Sequence, residues 1–182
     1  MNLMFLLQHL DHTVKKMKSQ SANLLTIINL SFGAFAIIFV LQNDLRAALL
    51  LITLAAVFDR LDGMVARKLK ITSELGKQLD SLSDIISFGV APAILLHQAI
   101  LYEFGIAGST FAIIFIVCGA IRLARFNVSE MHGYFVGLPI TAAGCLLTLC
   151  YLLVGFIPDA VFMFITVILA LLMISTFKVK KV

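Results

Sequence analysis

Apolar residues run through this chain in long stretches, separated by short polar clusters. The stretches lie at about 22–41, from Leu45 through LRAALLLITLAAVFD, and at about 76–98, 108–127, 138–156 and 159–177. A helix needs ~20 residues to cross the hydrocarbon of a bilayer, so the pattern predicts six transmembrane helices. A break is expected in the third, at Gly89 to Pro92, because proline removes a helix hydrogen bond. Gly33, Gly119 and Gly144 are candidate points of close helix contact. Residues 1–20 follow a different pattern. Leu3, Leu7, Leu10, Val14 and Met17 alternate at spacings of four and three, opposite Gln8, Asp11, Lys15 and Lys18. One apolar stripe on a basic helix is expected to lie on an anionic leaflet. The expected organisation is an amphipathic interfacial helix over 1–20 and one all-α membrane domain over 21–182, with no signal peptide, soluble domain or internal repeat.

Composition strengthens this picture. The 182 residues are 61% hydrophobic and 13% charged, with a mean hydropathy of +1.05. A soluble domain is nearer half apolar and a quarter charged, and a short chain buries only part of its surface. The excess must face lipid, which excludes a soluble enzyme, a disordered chain and a disulfide scaffold. Cys118, Cys145 and Cys150 lie in apolar stretches without metal-ligand spacing and read as packing residues. The formal net charge of +4 is distributed as a membrane orientation signal and does not imply nucleic acid. One side would hold Lys15, Lys16, Lys18, Arg60, Arg67, Lys68, Lys70, Lys77, Arg122, Arg125, Lys178, Lys180 and Lys181, the other Arg46 alone with Asp44, Glu103 and Asp159. Basic residues favour the cytoplasmic face, so both termini are expected there, on a multi-pass cell-membrane protein.

Four carboxylates stand out. Asp59 and Asp62 fall at the inner end of the second span, and Asp80 and Asp84 at the start of the third. A carboxylate within a span costs roughly 2.5–3.5 kcal/mol on insertion scales. A salt-bridged loop with Arg60, Arg67, Lys68 and Lys77 is one explanation. The spacing favours another. At about 100° per residue, Asp59, Asp62, Gly63, Ala66 and Arg67 share one helix face, and Asp80 and Asp84 share another, with Gly76 one turn earlier. A short connection makes the two helices antiparallel neighbours, so these faces meet as an acidic cluster. Divalent cations with hard oxygen ligands, Mg²⁺ or Mn²⁺, resolve its self-repulsion. Gly63 and Gly76 let a bulky ligand reach the backbone, and Arg67 presents a planar cation to phosphate oxygens. Metals and an arginine beside acids describe phosphoryl chemistry.

The pattern Asp59-x2-Asp62-Gly63-x2-Ala66-Arg67-x8-Gly76-x3-Asp80-x3-Asp84 resembles the signature of the CDP-alcohol phosphotransferase family at every specified position. That resemblance implies a six-helix membrane enzyme in which an alcohol attacks the β-phosphorus of a CDP-linked lipid and releases CMP. It also implies two divalent cations held by Asp59, Asp62 and Asp80, with Asp84 on the second cation and acting as general base. By the same resemblance Asp62, Gly63, Ala66, Arg67, Ser73 and Gly76 would contact the CDP-lipid, as would Asn23 and Thr26 in the stretch NLLT. Ser73 and Asn23 have a second reading as helix N-caps. A homodimer is the usual family assembly.

Three segments bear on the acceptor. DSLSDIISFGVAPA (80–93), GAIRLARFN (119–127) and GLP (137–139) resemble the membrane-embedded bacterial phosphatidylserine synthases of that family, which implies CDP-diacylglycerol and L-serine as substrates. Arg122 and Arg125, one turn apart with Asn127 beyond, are candidates for the serine carboxylate or a lipid phosphate; their alternative role is positive-inside bias. Glycerol 3-phosphate or inositol phosphate is the alternative acceptor. From another class, a divalent-cation transporter would use the aspartates as its ion path, but the acids cluster at one face. A scaffold would leave them unexplained. His9, His12, His97 and His132 read as interfacial residues, and the sequon Asn127-Val128-Ser129 falls on the cytoplasmic side.

Overall fold

The computed structural model describes residues 23–69, 74–128, 134–176 and 178–180, so the expected interfacial helix over 1–20 lies outside the described residues. Among the described residues six helical rods follow one another. They are α1 (Asn23–Leu41), α2 (Leu45–Leu69), α3 (Glu74–Ala99), α4 (Ile106–Val128), α5 (Ile140–Leu153) and α6 (Asp159–Ile174). The fold is all-helical apart from a small ribbon. Strand β1 (Tyr134–Val136) pairs antiparallel with β2 (Lys178–Lys180), tying the α4–α5 connection to the chain beyond α6.

Helices α1, α3 and α4 are long and apolar enough to cross a membrane. Helix α5 is shorter than the run at 138–156 because Pro139 precedes its first turn and its last turn tightens to 3-10 geometry over Tyr151–Leu153. Helix α6 stops at Ile174, short of 177, because Ser175 turns extended (φ −55°, ψ 151°). Its 16 residues rise about 24 Å. Many large apolar side chains point outward, including Phe35, Leu50, Ile113, Leu149, Phe164 and Leu171. This is the surface of a protein whose solvent on those faces is lipid.

Local chemistry sets each reversal. Asn43 takes the left-handed conformation (φ 61°) that ends α1, and Asp44 caps α2 by accepting the Ala47 amide at 3.1 Å. Gln98 of α3 donates its side-chain amide to Asn43 Oδ1 at 2.8 Å, pinning that turn. Gly137 (φ 72°) packs beneath the last carbonyls of α6; a Cβ there would sit 2.6 Å from the Met173 oxygen.

The expected break in α3 is corrected. The rod runs on through Gly89–Pro92 because Ile85–Val90 winds as a π-helix, in which the Ala91 amide donates to the Ile86 carbonyl. In a regular α-helix the Pro92 ring would strike the carbonyl of Phe88. The wider turn swings that carbonyl away, and it lies where a Cβ of Gly144 on α5 would have to be. Gly33 meets Ser87 in the same manner, and a Cβ on Gly119 would come within 2.8 Å of Ile140. The three glycines are points of close helix approach, as expected. One core cluster gathers Phe88, Phe115, Phe162, Leu96 and Leu147 around this junction. A second, Ala36, Val40, Ala48, Ile52, Ala91 and Leu95, joins α1, α2 and α3.

Gly144→Ala forces a methyl group against a backbone oxygen and should destabilise the protein by about 1–3 kcal/mol. Thermal unfolding in detergent checks this against Leu146→Ala on the exposed face, which should leave the melting temperature nearly unchanged.

Candidate active site

Two helices bring the four aspartates together. One ligating oxygen from each of Asp59, Asp62 and Asp80 lies within 4.8 Å of the others. The Asp84 and Asp59 carboxyls are hydrogen-bonded to each other, a contact that two carboxylates keep only with a proton or a cation between them. Asp62 is 5% exposed, while Asp80 is exposed. The cluster therefore opens toward the start of α3. Among the described residues the one ion pair is Lys77–Glu74 at 2.8 Å, on the surface. The side chains of Arg67 and Lys68, on which the salt-bridged alternative also rests, lie outside the described residues. Asp44, Glu74, Glu103 and Asp159 all sit at element ends, so among the described residues no ladder of acids leads away from the cluster as an ion path would require.

Helix α1 forms one wall. Its buried stripe reads Thr26, Asn29, Gly33, Ala36 and Val40. Ser83 and Ser87 of α3, one turn apart, donate to the carbonyls of Thr26 and Asn29 at 3.3 and 3.1 Å. These bonds lock α1 against the acid-bearing half of α3. The Thr26 side chain and the Gly63 amide donate to Asp62, and Phe32 meets Phe58 at 5.3 Å between ring centroids. Thr26 and Gly63 therefore stand beside the acids. The side chains of Ala66 and Arg67, and Ser73 entirely, lie outside the described residues.

Helix α4 forms the opposite wall and divides the predicted basic pair. The Arg122 guanidinium interacts with the Asp84 charge and lies 5.9 Å from the Phe126 ring. Arg125 instead donates to the Ile174 carbonyl at 3.2 Å, capping the end of α6. Asn127 donates to the Ser81 hydroxyl at 2.9 Å and ties α4 to α3. Spacing alone could not separate these roles. His97 bonds Ser109 at 3.0 Å, far along α3 from the acids, and Cys118 and Cys150 are buried packing residues.

The donor set suits a divalent cation. Asp62 Oδ2 and Asp84 Oδ1 are buried without a partner among the described residues, and hard carboxylate oxygens at this spacing match Mg²⁺ or Mn²⁺. Sequence reasoning missed Asn29, Ser83 and Ser87. A serine or asparagine in an apolar run carries no mark of its own until the packing shows what it faces.

The family model for CDP-alcohol phosphatidyltransferases matches residues 19–175. A CDP-diacylglycerol–serine O-phosphatidyltransferase of Methanocaldococcus jannaschii is 43% identical over 157 residues, covering 86% of this chain and 71% of that protein. An archaetidylserine synthase of Methanothermobacter thermautotrophicus is 41% identical over 166 residues, covering 88% and 69%. A CDP-diacylglycerol–serine O-phosphatidyltransferase of Bacillus subtilis is 35% identical over 157 residues, covering 85% and 86%.

Asp59→Asn and Asp80→Asn should each weaken Mn²⁺ binding at least about tenfold, measured by electron paramagnetic resonance of the free ion. Glu103→Gln, in the turn beyond the far end of α3, should leave it unchanged.

Proposed function

The chain belongs to the CDP-alcohol phosphatidyltransferase family, and on that premise we propose that it transfers the phosphatidyl group of CDP-diacylglycerol to the hydroxyl of L-serine, giving phosphatidylserine and CMP. The convergence of four aspartates from two helices carries the transfer chemistry. Serine is the acceptor named in all three relatives, whose lipids differ.

The protein lies in the cell membrane with six spans, both termini and the acids on the cytoplasmic side, and assembles as a homodimer. Asp59, Asp62 and Asp80 would hold two divalent cations, with Asp84 on the second. Mg²⁺ or Mn²⁺ in that position supplies charge neutralisation for the pyrophosphate and for departing CMP. The remaining work belongs to the chain. Asn23, Thr26, Gly63, Ala66, Arg67, Ser73 and Gly76 line the nucleotide side, and Thr26 also fixes the rotamer of Asp62. Asp84 accepts the serine hydroxyl proton as the oxygen attacks the lipid-bearing phosphorus and the bond to CMP breaks. Arg122 takes the serine carboxylate. Arg125 and Asn127 position α4, since their polar groups are spent on Ile174 and Ser81.

CMP release should be seen with CDP-diacylglycerol and L-serine, and not with glycerol 3-phosphate or inositol phosphate; release with either phosphate alone would reassign the acceptor. EDTA should stop turnover. Asp84→Asn should lower kcat by about 10²–10⁴ while retaining most CDP-lipid affinity, and near-normal kcat would remove Asp84 as base. Arg122→Gln should raise the KM for serine about tenfold or more with little change for the CDP-lipid. Arg125→Gln should act on thermal stability instead.

A further inference from the structure

Among the described residues, the buried side-chain atoms without a hydrogen-bond partner are Asn29 Nδ2 and Oδ1, Asp62 Oδ2, Asp84 Oδ1 and Arg122 Nε. They come from four different helices, and all belong to the side chains around the acid cluster. The carboxylate oxygens are accounted for by cations and by the acceptor's proton, and Arg122 by a carboxylate. Asn29 has no such account.

Three contacts fix where Asn29 stands. Its own carbonyl accepts the hydroxyl of Ser87, which lies three residues beyond Asp84 on α3. Three residues earlier on α1, Thr26 bonds Asp62. Three residues later, Phe32 packs on Phe58, the neighbour of Asp59. Asn29 is therefore level with Asp59 and Asp84, at the end of the cluster away from the start of α3, with α1 and α4 packed on different faces of α3. It is 0% exposed. An unpaired buried polar group costs about 1–3 kcal/mol, and leucine would fill the same volume without that cost. Nothing in the described protein offsets it, so the partner is something that arrives.

Building on serine as acceptor, we infer that Asn29 is a specificity-determining residue whose side-chain oxygen accepts the ammonium group of the amino-acid acceptor, opposite Arg122 on the carboxylate. An ammonium carries three donors and no acceptor, so it needs an oxygen. A fifth carboxylate there would add to the repulsion and draw a cation itself. An amide supplies the oxygen without the charge, and its NH2 remains available to the same substrate's carboxylate. Asp84 between the two walls then meets the hydroxyl of a molecule held at both ends.

Two truncated acceptors separate the contributions: 3-hydroxypropionate keeps the hydroxyl and carboxylate, and ethanolamine keeps the hydroxyl and ammonium. For Asn29→Leu, kcat/KM with L-serine should fall at least about tenfold, chiefly through KM. With 3-hydroxypropionate it should stay within about twofold, so the preference for serine over that acid collapses. The KM for CDP-diacylglycerol and the Mn²⁺ affinity should also hold within about twofold. Asn29→Ala, which removes the amide without adding bulk, is read in the same way if leucine does not give a folded protein. Equal losses with serine and 3-hydroxypropionate, or loss of Mn²⁺ or CDP-lipid binding in place of serine discrimination, would overturn the assignment. A wild-type protein that releases CMP with another alcohol and not with serine overturns the functional reading as well, and the two failures are told apart by the wild-type panel.

Discussion

Mutual repulsion among Asp59, Asp62, Asp80 and Asp84 is the constraint to which the rest of the molecule answers. Three of their oxygens lie within 4.8 Å of one another, in a chain that otherwise offers lipid and apolar side chains. At an effective dielectric of about 20, two unit charges 4.8 Å apart repel by roughly 3–4 kcal/mol. Such a cluster persists only where neighbouring helices hold the backbone and protons or cations offset the charge. The hydroxyl bridges from Ser83 and Ser87 to α1, the Asn127–Ser81 bond to α4 and the close glycine contacts of α3 with α1 and α5 all bear on that one helix. They brace the element that carries two of the four acids.

Much of this was legible in the sequence, for identifiable reasons. Helical periodicity is strict, so spacings of three and four put Asp59 with Asp62, and Asp80 with Asp84, on single faces before any packing was known. A short connection between their helices did the rest. The long apolar helices α1, α3 and α4 were legible from hydropathy because lipid imposes a length as well as a composition.

What escaped the sequence depends on which neighbour a side chain meets. Arg122 and Arg125 look equivalent along α4, yet one interacts with Asp84 and the other caps α6. Asn29 looks like any polar residue in an apolar run, and its significance comes from complete burial beside the acids. The break expected at Pro92 failed because a helix can widen to accommodate a proline when a glycine on its neighbour gives room. Ribbon pairing between Tyr134–Val136 and Lys178–Lys180 joins segments more than forty residues apart, beyond the reach of local pattern.

The π-helical turn at Ile85–Val90 has a mechanical meaning of its own. One additional residue in a turn offsets everything beyond it by about 100°, so the acid-bearing half of α3 and its apolar half are clocked independently. The carboxylates can be aimed at the reaction centre while Leu95 and Leu96, past the offset, are aimed at apolar neighbours. A uniform rod would make any improvement in one orientation a misalignment of the other. With the offset in place, the greasy outer segment can be refitted to a bilayer of different thickness or composition without rotating the chemistry.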